Sequence, residues 1–368
     1  MRNHIHKKAF CHQTGLTLVE IMVAITLSLV ILAGVIEMFV ATKQTYRVEE
    51  GLARVQENAR YAMNILTKDL RMAGYVGCIK FEPGDPSNVN NIVSPDAGQG
   101  GLADFAYALK GFNSTSASGN NITDWSPNLP SYFANGDVIA GTDVIFLKYA
   151  SAYDIGLTGN LTATNANIQI TSNPNGEIVA GDILLVSDCG GADMFAATNV
   201  SESAGKVTIA HANSRNTDNK LSKLYGADAE ISKLISKVYF IANNNYGIPS
   251  LYVGKITSNT TTDRTELVEG VENMQILFGV DTDADGIANQ YQTANTVETG
   301  NNWGNVSSIR IGLLLQTLEF VSSSNDTRTY NVAGTNIAST GTSSLHDADR
   351  RLRYVFSSTI KIRNLGNL

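Results

Sequence analysis

Beyond its first residues this chain of 368 has no cluster of lysine or arginine. With 27 Lys/Arg against 34 Asp/Glu it carries a net charge of −7. It therefore lacks the positive stripe that neutralises phosphates, and a nucleic-acid partner is disfavoured. Cysteine is scarce as well. The three present, Cys11, Cys78 and Cys189, include no CxxC pair and no metal-ligand spacing with histidine. After the N-terminal segment only His211 and His346 remain, each isolated in a strand end or polar loop. Both read as surface residues, not bases. No G-x-S-x-G, H-E-x-x-H or G-x-x-x-x-G-K-[ST] pattern occurs. The GQGG cluster at 98–101 has no strand–helix frame and reads as a loop, and Trp125 and Trp303 fall in separate loops. Nothing here asks for a catalytic role or a required cofactor.

What the chain does have begins at its N-terminus. Residues 1–15, MRNHIHKKAFCHQTG, hold Arg2, Lys7 and Lys8 and no acid, and an apolar run follows from Leu16 to about Val40. As a helix rising 1.5 Å per residue, that run spans a hydrocarbon layer of about 30 Å. The basic flank predicts a cytoplasmic N-terminus with the bulk of the chain exported. A secretory signal has a shorter apolar core followed by a small-residue cleavage site. Here the order is reversed: Gly15 precedes the run. A cut after Gly15 would remove the basic leader and leave the anchor on the chain. Glu20 is the anomaly, because an ionised carboxylate inside a bilayer costs about 2.5–3.5 kcal/mol on insertion scales. Glu37, near the far end, is placed to snorkel to the surface.

If the run crosses a bacterial inner membrane, Cys78 and Cys189 share an oxidising compartment and Cys11 does not. The pair reads as a disulfide, with two free thiols as the alternative. It would close a loop of about 110 residues, worth roughly 4–5 kcal/mol in the chain-entropy model.

Gly15-Leu16-Thr17-Leu18-Val19-Glu20 resembles the class III signal of type IV pilins and type II secretion pseudopilins. The resemblance implies cleavage after Gly15 by a prepilin peptidase and N-methylation of Leu16, which stands where most members carry Phe. It also places the acid at Glu20. Cleavage creates a cation, the α-amino group of Leu16, and in a filament the amino group of a neighbouring subunit would then meet Glu20. The acid would thus favour assembly over isolation in lipid.

Past Val40 the pattern becomes amphipathic. Val48, Leu52, Val55, Ala59, Ala62, Leu66, Leu70 and Ala73 recur at three- and four-residue steps, with charges on the other faces. Gly74 is placed as the C′ residue. Anchor and continuation together make one helix of nearly sixty residues, on the order of 85–90 Å.

From Cys78 onward strands are expected at 142–150, 182–188, 206–211, 236–243, 250–255, 273–281, 306–317 and 354–364. The Asn-, Ser-, Thr- and Gly-rich segments 84–136, 158–176, 257–266 and 322–345 read as loops or insertions. The fold class is α+β: a long N-terminal helix packed on a large antiparallel β-rich periplasmic domain, pilin-like in build. The expected division is leader 1–15, transmembrane helix 16–41, amphipathic continuation 42–75 and β-rich domain 76–368. Without the leader's three cations the chain keeps 24 basic against 34 acidic residues, a net of −10.

Several blocks are similar to the minor pilin PilW group: RYAMNILTKDLRMAGYVGC, GDILLVSDCGGADMF, ISKVYFIANNNYGIPSLYV, MQILFGVDTDADG, VSSIRIGLLLQT and DRRLRYVFSSTIKIRN. The likeness implies a subunit anchored in the inner membrane and assembled into a pilus. It would join other minor pilins and the major pilin through its N-terminal helix to prime the fibre and form its tip, with a PilY-type tip adhesin as a further partner. A minor pseudopilin of a type II secretion system and a membrane-anchored adhesin or binding module are the alternatives.

One stretch suggests a ligand. In DTDADGIANQYQ, residues 281–292, Asp281, Asp283 and Asp285 alternate before Gly286 like the start of a calcium loop. Ile287 would add a carbonyl and Asn289 a side-chain oxygen. The twelfth position is Gln292 in place of a bidentate Glu, and no helix pattern flanks the loop. A calcium position and a solvated acidic hairpin turn both remain open.

Overall fold

A computed structural model describes residues 15–79, 89–94, 107–116, 118–119, 121–151, 155–203, 205–256, 262–340 and 345–364. The leader through Thr14, with Cys11, and the GQGG segment lie outside the described residues. The chain forms two compact units, Met1–Gly51 and Leu52–Leu368. Helix α1 runs Leu18–Met72.

In the first unit α1 is unburied, and its apolar run is long enough to cross a membrane by length and composition. In the second unit its pattern has consequences for packing. Val55, Ala59, Ala62, Leu66 and Leu70 are buried against the sheets, as the three- and four-residue spacing requires. Each fully buried leucine contributes about 1.5–3 kcal/mol. The helix ends where Gly74 adopts φ 77°, the left-handed conformation that glycine takes without a Cβ clash. The Asn364 Nδ2 amide donates to the carbonyls of Arg71, Met72 and Ala73 at 3.1–3.4 Å, satisfying the otherwise open end of α1.

Nineteen strands follow among the described residues. The first ten are β1 (Val89–Asn91), β2 (Leu109–Ser114), β3 (Trp125–Ser126), β4 (Val144–Ala150), β5 (Ile155–Gly156), β6 (Ile168–Ile170), β7 (Ile183–Asp188), β8 (Gly191–Ala196), β9 (Asn199–Ser203) and β10 (Lys206–Ala210). The rest are β11 (Glu230–Asn243), β12 (Pro249–Ile256), β13 (Thr262–Glu269), β14 (Val271–Val280), β15 (Gln290–Gln292), β16 (Val306–Gln316), β17 (Tyr330–Val332), β18 (Thr335–Ile337) and β19 (Arg353–Lys361). A short helix, α2, spans Ala294–Thr299.

The long β11 organises the large sheet: β7 pairs with its first residues, β4 with its middle and β12 with its end. A separate sheet has the order β15-β14-β16-β19. All pairings are antiparallel except β1 with β8, which is parallel. The main core gathers the buried face of α1 with inward residues of both sheets. A second core, including Ile168, Ile170, Phe195, Ile209 and Tyr225, lies within residues 92–231. Leu314, Val332 and Ile337 form a third, where the β17–β18 hairpin covers β16.

Every strand expected from the sequence is present, with edges moved by a few residues. The loop expectations need correction. Segment 84–136 holds β1, β2 and β3; 158–176 holds β6; 257–266 contains the start of β13; and 322–345 holds β17 and β18. These strands are short, and β1, β17 and β18 carry Asn, a residue of low strand propensity, so tertiary pairing decided them. Strand β8, GADMFA, was also hidden, because its buried side chains do not alternate with polar ones.

Candidate functional site

The first turn of α1 forms around Glu20. Thr17 precedes the helix; its backbone N–H and its hydroxyl donate to Glu20 Oε2 at 2.8 and 2.9 Å, and the Glu20 N–H donates back to Thr17 Oγ1 at 3.3 Å. This reciprocal arrangement is a capping box, for which T-x-x-E is the sequence signal. Within one chain the carboxylate thus has donors from its own helix end, where the dipole also favours negative charge. Leu16 and Glu20 share a shallow groove along this unit with Ile21, Ala24, Ile25 and Ser28. Apart from the carboxylate and one serine its lining is apolar, so the groove can receive another apolar helix and present it with a single acid. Gly15 lies just ahead of the helix, with open space where a Cβ would stand.

In the second unit Cys78 and Cys189 form a disulfide with their Cα atoms 5.0 Å apart across 111 positions of sequence. The bond ties the chain leaving α1 to the β7–β8 turn. Next to it Gly77 has φ +89°, and a Cβ there would meet Ser187 Oγ at 2.7 Å.

The acidic stretch is the loop between β14 and β15, and Asp281, Asp283 and Asp285 bring carboxylate oxygens within 4.8 Å of one another. Asp281 is buried, while Asp283 and Asp285 are exposed. The loop folds around Asp281, which accepts from the N–H groups of Asp283, Ala284 and Gly286. Burial works to raise the Asp281 carboxyl, but these donors outweigh it and hold it below the usual carboxylate range. Ala284 and Gly286 take left-handed backbone, φ 60° and 80°. Asn289 Oδ1 is engaged by the Thr282 N–H and hydroxyl, and its Nδ2 donates to Asp283. Ile287 is exposed at the loop tip. At the twelfth position the Gln292 side-chain oxygen is buried without a hydrogen-bond partner among the described residues. The cluster gathers hard carboxylate oxygens; Asp281 and Asn289 are the most heavily engaged, while Asp283 accepts only from Asn289 and Asp285 only from the Ile287 N–H among the described residues.

Both histidines depart from the surface reading. His211 and His346 are 3% and 5% exposed. His211 Nε2 lies 3.0 Å from the Ala166 carbonyl, and His346 faces the carbonyls of Asp347 and Arg328. They stabilise loops from inside. Trp125 and Trp303 are likewise buried, each with its indole N–H donated, to the Thr142 carbonyl and to Glu298 respectively.

Residues 11–36 match the prokaryotic N-terminal methylation motif, and residues 238–364 match the type IV pilus-assembly protein W family. Over these two stretches the chain is pilin-like and similar to the PilW family. The PilW match begins inside β11 and runs through β19 to Asn364, the residue that caps α1. The second core falls wholly in the stretch between the two matches. The pilin-like protein PilA3 of Thermus thermophilus is 37% identical over 60 residues, 16% of this chain and 26% of that protein. The chain thus spans about a quarter of the length of the curated relative it matches. No solved structure matches it.

Proposed function

We propose that this PilW-family chain is a minor pilin that primes type IV pilus assembly and helps form the fibre tip, a structural role without catalysis. The observation that carries the reading is the methylation motif leading directly into an unburied apolar helix with Glu20 in its first turn. In this reading prepilin peptidase cuts after Gly15 and methylates Leu16. The chain waits in the inner membrane, N-terminus in the cytoplasm and β domain in the periplasm. The Thr17 capping box lowers the cost of the Glu20 carboxylate while the subunit is single. On assembly the amino group of a neighbouring pilin replaces water and Thr17 as its partner, which favours docking into the fibre. The β-rich unit, enlarged by its second core, is then presented at the tip to other minor pilins and a PilY-type adhesin.

Mass spectrometry of the purified chain should find it starting at Leu16 with one added methyl. Glu20→Ala should reduce surface pili while the protein still accumulates in the membrane. An intact N-terminal leader in cells that carry the peptidase would refute the reading. Loss of protein secretion with normal pili on deletion would point to a pseudopilin instead.

The acidic loop supports a lesser proposal, that Asp281, Asp283, Asp285, the Ile287 carbonyl and Asn289 hold a calcium ion that stiffens the β14–β15 hairpin. The observation favouring it is the convergence of three carboxylates within 4.8 Å.

A further inference from the structure

In the second unit, α1 is packed on one side only. Opposite Val55, Ala59, Ala62, Leu66 and Leu70 lie Glu57, Arg60, Tyr61, Asn64, Lys68 and Arg71, all exposed. At 3.6 residues per turn these six positions fall within a strip about 100° wide that climbs about 20 Å along the axis. The strip holds three cations and one anion, and Arg60, Lys68 and Arg71 make no ion pair among the described residues. Tyr61, 52% exposed, lies near one end of the strip. The remainder of the chain has the opposite sign: residues 73–368 carry 18 Lys/Arg against 28 Asp/Glu, a net of −10.

A merely solvated helix face would serve as well with alternating Glu and Lys in i,i+4 pairs, which stabilise the helix itself. Here unpaired cations are gathered on the exposed side of an otherwise acidic chain. Acidic domains brought side by side in a fibre repel, and a cationic strip offsets that repulsion. Arginine and tyrosine are also the residue types that anchor protein interfaces. A lipid surface would meet only one end of a strip rising about 20 Å along a helix axis, whereas a neighbouring domain can lie along all of it.

We propose that the Glu57–Arg71 strip is a docking face for a carboxylate-bearing surface on the β domain of a neighbouring pilus subunit, with Tyr61 as its anchor. The inference rests on the pilin reading above, which supplies the neighbour.

The test uses the full-length chain in a pilus-forming host. Tyr61 is replaced by photoreactive p-benzoylphenylalanine and irradiated in the native envelope. The same is done with Arg60→Glu/Lys68→Glu and with the charge-conserving Arg60→Lys/Lys68→Arg. The expected result is a protein adduct whose yield falls about fivefold or more on charge reversal and is kept in the charge-conserving variant. Because these side chains are exposed, each variant should keep the parent's melting temperature. An adduct with phospholipid alone, no adduct, or a protein adduct indifferent to charge reversal overturns the inference. Glu20→Ala in parallel separates the two questions. Loss of pili there, with charge-indifferent cross-linking at Tyr61, sinks only the docking face; normal pili there sink the pilin reading.

Discussion

Arg353, 1% exposed at the start of β19, holds Glu272 of β14 through two guanidinium nitrogens, Nε to Oε2 at 2.6 Å and Nη2 to Oε1 at 3.1 Å. Its remaining hydrogen-bonding capacity goes to Asp349 and Gln316. Asp326, close by, accepts from Arg328 and from the Tyr330 hydroxyl. A charge group of this kind fixes the long 317–352 connection over the end of the β14–β16–β19 sheet. Burial pushes the Glu272 carboxyl upward, and Arg353 pulls against it.

Breaking such a pair from one side leaves a buried charge unopposed. Glu272→Ala or Arg353→Ala alone should each destabilise the protein by about 3–5 kcal/mol. Replacing both with methionine should cost less than either single change. Urea unfolding of the three variants checks this, and a double variant worse than both singles would contradict it.

Reduction of Cys78–Cys189, or Cys78→Ser/Cys189→Ser, should lower stability by about 2–5 kcal/mol. The disulfide is the covalent tie between the chain leaving α1 and the β7–β8 turn, so proteolysis should become faster around residues 183–196 before it does in β14–β16. Limited proteolysis with and without reductant measures the order. Equal rates everywhere would show that the bond secures no particular region.

Asp143 lies between β2 and β14, accepting from Asn113 Nδ2, the Ser114 N–H and the Ile276 N–H. Burial lifts its carboxyl from 3.8 to about 6 despite those donors. A folded-state value above the unfolded one means that its favourable contribution is complete below about pH 4 and is lost as pH rises through about 6. Stability measured by urea midpoint should therefore carry a component falling by about 1–3 kcal/mol across that window. Asp143→Asn should remove that slope whatever it does to the absolute value. An unchanged slope would contradict the assignment.

Calcium at the acidic loop should raise the melting temperature by a few degrees at concentrations about ten to a hundred times the dissociation constant, the stabilisation being roughly 1.5–2.7 kcal/mol. Asp283→Ala should abolish the increment with little effect in calcium-free buffer, because Asp283 is exposed. Asp281→Ala should destabilise in both buffers, since Asp281 organises the loop N–H groups. Melting unchanged by excess calcium would leave the loop a self-closed acidic turn.

Local periodicity made the α1 helix, its Gly74 terminus and the principal strands legible, because burial on one face imposes a spacing that survives in the linear order. The T-x-x-E capping box was also readable at Thr17 and Glu20, a signal outweighed by the more conspicuous anomaly of an acid in an apolar run. Compartment logic paired Cys78 with Cys189 without any geometry. The short strands β1, β6, β17 and β18 have no such imprint. They are strands because a neighbour's edge supplies their hydrogen bonds.

Sequence by itself determined the long apolar helix, the methylation motif ahead of it and the alternation of the main strands, all of which depend on residues within a few positions of one another. Only the tertiary structure decided which polar residues go inside. His211, His346, Trp125 and Arg353 each sit in segments whose local chemistry reads as solvent-exposed. Each is buried where a group elsewhere in the chain engages it, as Glu272 does for Arg353 across 81 positions. A buried polar group is tolerated only when paired, and pairing at that range leaves no mark on the residues around it.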